Sequence, residues 1–286
     1  MMRSLHDCPA PAKLNLFLHI VGRRADGYHL LQTVFQLLDH GDLLHFDVRE
    51  DGVIRRVNDM PGVPEASDLV VRAARLLQST LPGQPGADIT VDKRLPMGSG
   101  LGGGSSDAAT TLMALNHLWQ AGKSRGELMA LGLQLGADVP FFIFGGNAFA
   151  QGVGERLTAV DGLDCWFVVL EPGVSVPTPA IFCSPELTRD TKPVRIADFS
   201  GALKSAFGKN DMQAVACRMF PEVDAAVSWL GQFGDARMTG SGACVFMRCE
   251  SERQADLVLH AASGKWKAWK AKGMRKHPLA GLQKTL

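Results

Sequence analysis

The sequence predicts an α+β protein with two domains. A strand, a glycine-rich loop and a helix follow one another between Ala87 and Trp119, and the second half mixes short apolar strands with helical segments. With 286 residues, of which 46% are hydrophobic, the chain can bury a core large enough for two domains. We expect the boundary in Asp161–Asp164, which divides the chain into 1–161 and 162–286.

The first predicted element is a strand at Pro11–Leu18, which reads PAKLNLFL. Residues two apart in a strand share a face, so Lys13 and Asn15 lie together on a strand that is otherwise apolar. Such a pair is either exposed at the surface of a sheet or directed into a polar site. The residues alone slightly favour the exposed surface.

A loop is expected at Arg23–His29, where Asp26-Gly27 is a turn signal. Tyr28 is the only tyrosine of the chain and precedes His29. An aromatic ring beside an imidazole can stack on a nucleic base and hydrogen-bond its edge.

The next element is a strand at Ala87–Lys93, ended by Pro96 and followed by five glycines between Gly98 and Gly104. Glycines allow positive φ and let backbone N–H groups approach an anion. We expect a helix after this loop, capped by Ser105 or Ser106, with Asp107 in its first turn and one apolar face formed by Ala108, Leu112, Leu115, Leu118 and Trp119. A helix N-terminus favours negative charge, so the predicted ligand is a polyphosphate.

The alternatives for this loop are two known phosphate-binding motifs and a flexible linker. A P-loop requires GxxxxGK[ST], and no lysine follows these glycines. The dinucleotide pattern GxGxxG is matched by Gly98, Gly100 and Gly103, but the region where its acidic residue should end a second strand, Ala121–Leu131, reads as a loop leading into another helix. A flexible linker is disfavoured because a strand and a helix flank the loop closely.

Further along, Gly136 is expected to cap a helix and Asp138 to lie in the turn that follows. A lone aspartate in such a turn is more often structural. In the second half, strands are expected at Phe149–Glu155, as a pair, and at Cys165–Leu170. Helical segments are expected at Asp211–Phe220, Pro221–Phe233 and Ser251–Ala262.

The turn Gly240-Ser241-Gly242 leads into the apolar run Ala243–Met247. It could form a second backbone nest for an anion. Taken alone, a tight hairpin or the entry to a strand is favoured about two to one.

Composition limits the possible partners. The net charge is +1, which argues against a dedicated nucleic-acid or anionic-membrane binder. Lys265–His277 interleaves cations with Trp266 and Trp269 and could suggest an RNA or membrane patch, but a solvated strand or helix face is favoured. The six cysteines show no CxxC pairing and are expected to be buried thiols. Without an apolar leader or spanning segment, the chain is expected to be cytoplasmic.

Five segments together resemble one enzyme family. PAKLNLFL, RADGYH, LPMGSGLGGGSSDAA, LGADVPFF and TGSGACVF occur in the order and at the separations typical of 4-diphosphocytidyl-2-C-methyl-D-erythritol kinases, which belong to the GHMP kinase superfamily. The glycine loop alone would indicate only the superfamily. The resemblance covers nearly the whole chain.

The resemblance implies a two-domain GHMP kinase fold, with an N-terminal ATP-binding domain and a C-terminal ferredoxin-like α/β sandwich domain with an antiparallel sheet. It implies ATP and Mg²⁺ as cofactors and phosphorylation of the 2-hydroxyl of 4-diphosphocytidyl-2-C-methylerythritol in non-mevalonate isoprenoid synthesis. By similarity, Asp138 is the base and Lys13 its cationic partner. Another GHMP small-molecule kinase is the nearest alternative, a dinucleotide-dependent oxidoreductase a remote one, and an RNA-binding module the last. The oligomeric state is left open between a monomer and a weak dimer.

The same resemblance implies the binding residues. Those for ATP are Lys93, Pro96, Met97, Gly98, Gly100, Leu101, Gly102, Gly103, Gly104, Ser105 and Ser106. Those for the substrate are Asn15, Tyr28, His29, Thr178, Phe182, Gly240, Ser241 and Gly242, with Tyr28 and Phe182 enclosing the cytosine and His29 reading its edge. Asp68 departs from the asparagine expected there, and a carboxylate cannot donate as an amide does. For Asp107 a helix-dipole role is favoured over a magnesium contact.

Overall fold

The computed structural model describes residues 3–196 and 207–282. Its strands are β1 (Ser4–Arg23), β2 (His29–Arg49), β3 (Ile54–Arg56), β4 (Gly86–Asp92), β5 (Ala148–Gln151), β6 (Arg156–Ala159), β7 (Trp166–Glu171), β8 (Ala236–Met238), β9 (Val245–Cys249) and β10 (Lys267–Met274). Its α-helices are α1 (Leu69–Gln78), α2 (Gly103–Leu118), α3 (Arg125–Leu135), α4 (Val139–Phe144), α5 (Thr178–Cys183), α6 (Gln213–Met219), α7 (Pro221–Leu230) and α8 (Glu252–Ala262). Short 3₁₀ helices lie at Glu65–Ser67 and Pro278–Leu282.

The strands form one mixed sheet in the order β3-β4-β2-β10-β7-β9-β8, with β1 and β5 also paired to β2 and β6 paired to β5. The β3–β4 pair is parallel and the other pairs are antiparallel. The α+β class and the antiparallel sheet of the second half are therefore confirmed. β10 returns to β2 at Leu37 and Leu38, so the two halves of the chain share one sheet. The boundary between 1–161 and 162–286 stays a prediction.

Strand, loop and helix occur in the predicted order as β4, residues 93–102 and α2. Helix α2 is buried on nearly every side rather than on one face, because Ala109, Met113 and Ala114 are buried as fully as Ala108 and Leu112. A helix that is apolar all round belongs inside the core. It packs against α1, α4, β1 and β2, which holds its N-terminus in a fixed position.

The predicted serine cap of α2 is wrong. The helix begins at Gly103 after Gly102, whose φ of 75° is left-handed, and no side chain caps it. Ser105 and Ser106 are already inside the first turns, and Asp107 lies one residue beyond the first turn. Because no side chain takes the N–H groups at this end, they remain available to a ligand.

In the second half, β7, α6, α7 and α8 confirm the strand at Cys165–Leu170 and the three helical segments, with Ser251 capping α8. The turn at Gly240–Gly242 joins the antiparallel strands β8 and β9, which confirms the hairpin. The segment after Arg23 is a loop in which the Tyr28 N–H donates to Asp26, as expected of a turn.

The basic stretch Lys265–His277 contains β10, an antiparallel strand. The three lysines of β10 are paired with carboxylates: Lys270 contacts Glu252 and Asp256, Lys267 contacts Glu171, and Lys272 contacts Asp164. Trp269 stacks on His40 at 4.2 Å and donates to Glu171. The paired charges and packed ring favour the strand-face interpretation over an RNA patch.

The cysteine prediction needs correction. All six cysteines are described and unpaired, but Cys183 is exposed and Cys165 and Cys217 are only partly buried. Among the described residues, no helix is long and apolar enough to cross a membrane.

Strand β2 approaches β1 closely at Gly41, and a substitution there tests this contact. A Cβ at this position would meet the Ala10 carbonyl oxygen and lie 2.6 Å from the Pro11 Cα, both of them backbone atoms. We expect Gly41→Ala to lower the free energy of unfolding by about 1–3 kcal/mol through overpacking, measured by urea denaturation. Gly126→Ala is the matched control, since a Cβ there meets nothing within 4 Å. Equal stability of the two variants would contradict this packing.

Candidate active site

The glycine loop is held between β1 and the β8–β9 turn. The Lys13 N–H donates to the Leu101 carbonyl at 2.9 Å, and the Cys244 N–H donates to the Ser99 carbonyl at 3.1 Å. Gly98, Gly100 and Gly102 have φ values of 61°, 77° and 75°, which only glycine adopts readily. The loop is therefore shaped by its own glycines and fixed on both sides by backbone contacts.

Gly100 shows how closely the turn approaches. A Cβ at this position would overlap the Thr239 carbonyl oxygen and lie 3.2 Å from that of Gly242. The glycine therefore serves backbone packing as well as the positive φ. This close contact joins the glycine loop to the β8–β9 hairpin of the second half.

Lys13 and Asn15 point into the site, which corrects the slight preference for exposure. Both are buried, with 3% of their surface exposed. The Lys13 ammonium donates to Asn15 Oδ1 at 2.6 Å and lies 3.4 Å from Asp138 Oδ2. It also lies 5.2 Å from the centre of the Phe35 ring. A buried ammonium is thus paired with a carboxylate that remains one-third exposed, at 33%.

Asp138 is held at the start of α4, directly after the short segment that follows α3. Gly136 ends α3 as predicted, in an extended conformation with φ 173°. The Asp138 side chain does not cap α4. It is therefore free for the contact with Lys13.

Thr239 joins the two sides of the site. Its hydroxyl accepts the Asn15 N–H at 3.0 Å and lies 3.2 Å from the Gly100 carbonyl oxygen, to which it donates. It is fully buried. One hydroxyl therefore links the strand of Lys13 to the glycine loop. Its position beside the predicted turn was the only sequence signal for it.

Lys93 lies between two carboxylates. Its ammonium contacts Asp107 Oδ2 at 2.7 Å and also binds Asp42, which is fully buried on β2. Asp42 Oδ1 accepts the N–H groups of Arg94 and Leu95 at 2.6 and 2.7 Å. Asp42 was missed from the sequence, because nothing in HGDLLHF separates it from an ordinary polar residue. Asp107 thus contacts Lys93 and lies beyond the first turn of α2, so its expected first-turn position is wrong, while its helix-dipole role stays a prediction.

Burial dominates the ionisation of this cluster. It raises the pKa of Asp107 to about 8, with Lys93 acting in the opposite direction and Asp42 reinforcing the rise. Burial lowers the pKa of Lys93, but the two carboxylates outweigh it and the net pKa is raised. Lys93 therefore stays charged.

Asp68 has a structural role. Its carboxylate accepts the Val70 N–H at 2.9 Å at the start of α1 and forms an ion pair with Arg56. Both side chains are nearly fully buried. Both of these partners belong to the protein. The carboxylate therefore stabilises the start of α1 rather than being left free to contact a nucleobase.

The predicted base-binding residues are only partly assembled. Phe182 stacks on His29 with ring centres 4.6 Å apart, whereas Tyr28 is 65% exposed. Arg189, which the sequence did not indicate, donates to His29 Nε2 at 3.1 Å and to the carbonyls of Phe182 and Ser184. Burial, and then the charges of Arg189 and Arg23, lower the pKa of His29. On the other wall, the Thr178 and Ser241 hydroxyls are 2.7 Å apart.

Most of the predicted site residues line one cavity of about 540 Å³. It is lined by Lys13, Asn15, Lys93, Pro96, Met97, Gly98, Gly100, Gly102, Gly103, Gly104, Ser105, Asp138, Thr178, Phe182, Gly240 and Ser241. The predicted residues outside its lining are Leu101, Ser106, Tyr28, His29 and Gly242. Unpredicted lining residues include the apolar group Met60, Val63 and Leu69, together with Asp107.

The sequence comparisons identify the family. Models of the GHMP kinases N terminal domain and of the GHMP kinases C terminal match residues 68–146 and 195–268. The 4-diphosphocytidyl-2-C-methyl-D-erythritol kinase of Janthinobacterium sp. (strain Marseille) is 68% identical over 100% of both chains. The chain belongs to the 4-diphosphocytidyl-2-C-methyl-D-erythritol kinase family. The kinase of the same name from Herminiimonas arsenicoxydans is 67% identical over 99% of each chain.

The structural comparisons agree with this family. A crystal structure of a 4-(cytidine 5'-diphospho)-2C-methyl-D-erythritol kinase matches with a TM-score of 0.79 and 34% identity, over 94% of this chain and 98% of that chain. The Methanococcus jannaschii mevalonate kinase shares the fold, with a TM-score of 0.65 and 17% identity over 95% of this chain and 98% of that chain. The predicted two-domain GHMP kinase fold is confirmed.

Thr239 provides a test of the link between β1 and the glycine loop. Thr239→Val keeps the shape but removes a buried hydroxyl with two partners, so we expect the free energy of unfolding to fall by about 1–3 kcal/mol. We expect weaker binding of an ATP analogue as well. Thr239→Ser retains the hydroxyl and should stay close to the wild type. Wild-type stability and binding in Thr239→Val would contradict the link.

Proposed function

We propose that the chain transfers the γ-phosphoryl group of ATP to the 2-hydroxyl of 4-diphosphocytidyl-2-C-methyl-D-erythritol, giving the 2-phosphate and ADP. This is a step of non-mevalonate isoprenoid precursor synthesis. The observation that carries the proposal is the Lys13–Asp138 pair at 3.4 Å, in the wall of the cavity that the glycine loop also lines. Family membership supports the same reaction.

In the proposed reaction, Asp138 accepts the proton of the substrate hydroxyl. Its partly exposed carboxylate lies in the cavity wall, where an alcohol could reach it. The Lys13 ammonium pairs with that carboxylate and offsets negative charge on the phosphoryl group in transfer. Asn15 fixes the ammonium by accepting from it. Most of the rate enhancement would come from positioning and electrostatics.

We propose that the ATP phosphates bind the backbone of Gly100–Gly104 and the first turn of α2, with Ser105 beside them. Glycine N–H groups and an uncapped helix N-terminus provide donors without a competing side chain. The base would lie toward the apolar lining residues Met60, Val63 and Leu69.

Mg²⁺ is proposed to enter with ATP. Among residues 3–196 and 207–282, no group of three or more His, Cys, Asp or Glu side chains is arranged to hold a metal. Mg²⁺ commonly binds substrate phosphates together with one or two carboxylates, so this donor set fits a metal carried by the nucleotide. Asp138 is the protein carboxylate that would meet it. When bound, the ion neutralises charge on the phosphates.

For the other substrate, we propose that the cytosine binds against Phe182, near His29 and Tyr28. Phe182 lines the cavity, and the exposed Tyr28 ring could close over the base from solvent. Stacking on an aromatic ring contributes about 1–3 kcal/mol per base. Asn15, Thr178 and the Gly240–Gly242 turn would contact the rest of the molecule.

The six unpaired cysteines support a reducing, cytoplasmic location.

The activity is tested by supplying pure protein with ATP, magnesium and 4-diphosphocytidyl-2-C-methyl-D-erythritol and following ADP. We expect ADP release that requires both substrates, because the substrate hydroxyl, and not water, accepts the γ-phosphoryl group. ADP release at the same rate without the acceptor, or none with it, would reject the proposed reaction.

Asp138 is tested separately by Asp138→Asn. The amide cannot accept the proton, so we expect kcat to fall by roughly 10²–10⁴-fold, the usual contribution of a positioned base. Binding of an ATP analogue in the absence of magnesium and the unfolding transition should change little. Asp161→Asn, at an exposed carboxylate outside the cavity lining, is the control and should retain wild-type kcat. Near-wild-type turnover of Asp138→Asn would refute the assignment.

A further inference from the structure

A buried carboxyl group without a complete set of partners lies directly beside the proposed phosphate site. Asp107 is only 4% exposed and belongs to the cavity lining. Its Oδ2 binds Lys93, but its Oδ1 has no hydrogen-bond partner among the described residues. Buried polar atoms are almost always hydrogen-bonded, so an unpartnered carboxyl oxygen at a ligand cavity needs an explanation.

The charges around Asp107 do not balance when both carboxyls are ionised. Lys93 carries one positive charge and is shared by Asp107 and Asp42. Asp42 already accepts from Lys93 and from two backbone N–H groups, so it is well stabilised as an anion. Asp107 contacts Lys93 through Oδ2, and the Asp42 carboxyl is close enough to raise its pKa. The cluster therefore has a net charge of −1 beside the place where a triphosphate would bind.

The cluster lies immediately beneath the start of α2. A Cβ at Gly103 would lie 3.1 Å from the Lys93 ammonium nitrogen and 3.4 Å from Asp42 Oδ2. Gly103 is also part of the cavity lining. An uncompensated negative charge at this distance would oppose the binding of a polyanion.

We propose that Asp107 is protonated in the ATP complex and that its Oδ1 hydroxyl donates a hydrogen bond to a phosphate oxygen. The proton comes from solvent and remains on the carboxyl group, so the cluster becomes neutral. Asp42 and Lys93 are positioning residues. Their contacts determine that the proton binds to Asp107 and not to Asp42. This inference rests on the proposed binding of ATP at the glycine loop.

The surroundings of Asp107 support the assignment. The ionisable groups that face it in the described part of the chain are Lys93, which follows β4, and Asp42, on β2. Burial raises the pKa of Asp107 to about 8 already without nucleotide, and Asp42 adds to the rise. A bound triphosphate would raise this pKa further, because negative charge nearby disfavours the carboxylate. Free enzyme above that pH is mostly ionised and must take up a proton to bind ATP.

The test is calorimetric titration of the wild-type protein with an ATP analogue whose β–γ linkage cannot be cleaved, at about pH 9, in two buffers with different ionisation enthalpies. The terminal phosphate, with a second pKa of about 6, is fully ionised there and does not contribute protons. We expect an uptake that approaches one proton per nucleotide at about pH 9 and little uptake at about pH 7. The dissociation constant should rise by about tenfold between these pH values.

Two variants assign the proton. Asp107→Asn has a neutral side chain of the same shape, so it should bind the analogue at about pH 7 as the wild type does, with no uptake at about pH 9. Asp68→Asn is the matched control, because Asp68 is also a buried, ion-paired carboxylate in the cavity lining. It should retain the wild-type uptake even if its affinity changes. At about pH 9, an infrared difference spectrum of the wild type should show a carboxylic acid carbonyl band on nucleotide binding, independently of whether a variant folds.

The outcomes separate the two proposals. If the analogue does not bind at any pH, the proposed ATP site fails. Binding without proton uptake at about pH 9 leaves that site standing and overturns the protonation of Asp107. Uptake that persists in Asp107→Asn, or a large loss of affinity in that variant at about pH 7, would also overturn it. In the last case the carboxylate charge itself would be required.

Discussion

The backbone hydrogen bond from Lys13 to Leu101 is the contact on which the geometry of the site depends. The residue whose ammonium pairs with Asp138 also holds the middle of the glycine loop, at 2.9 Å. Gly102 allows this approach, since a Cβ there would lie 3.2 Å from Lys13 Cε. The glycine loop and Lys13 are thus both positioned by one strand, β1.

The two lysines of the cavity, the buried Lys13 and the partly buried Lys93, have different tasks because their partners differ. Lys13 has one carboxylate, which is partly exposed, and an amide oxygen, so its charge remains available to a phosphoryl group. Lys93 binds the carboxyl groups of Asp42 and Asp107, and Asp42 in turn holds the segment before the glycine loop in place. The positive potential for a triphosphate therefore comes from Lys13, from backbone N–H groups and from the α2 terminus.

Local patterns in the sequence were sufficient for the secondary structure around the site. Alternation and glycine spacing predicted β1, β4, the loop and α2, because these depend on neighbouring residues. The direction of Lys13 and Asn15 could not be predicted, since their partners Asp138 and Thr239 are distant in the chain. The role of Asp42 could not be predicted for the same reason, since its partners begin at Lys93. The serine cap failed because Gly102 in a left-handed conformation starts the helix without one. The resemblance to a family, rather than spacing, indicated Asp138.

The most direct test of the account is a crystal structure of the protein with an uncleavable ATP analogue and 4-diphosphocytidyl-2-C-methyl-D-erythritol. The account predicts the triphosphate on the N–H groups of Gly100–Gly104, with the γ-phosphorus facing the substrate 2-hydroxyl and that hydroxyl within hydrogen-bonding distance of Asp138. A triphosphate bound elsewhere, or an Asp138 carboxylate distant from the acceptor hydroxyl in that ternary complex, would contradict it.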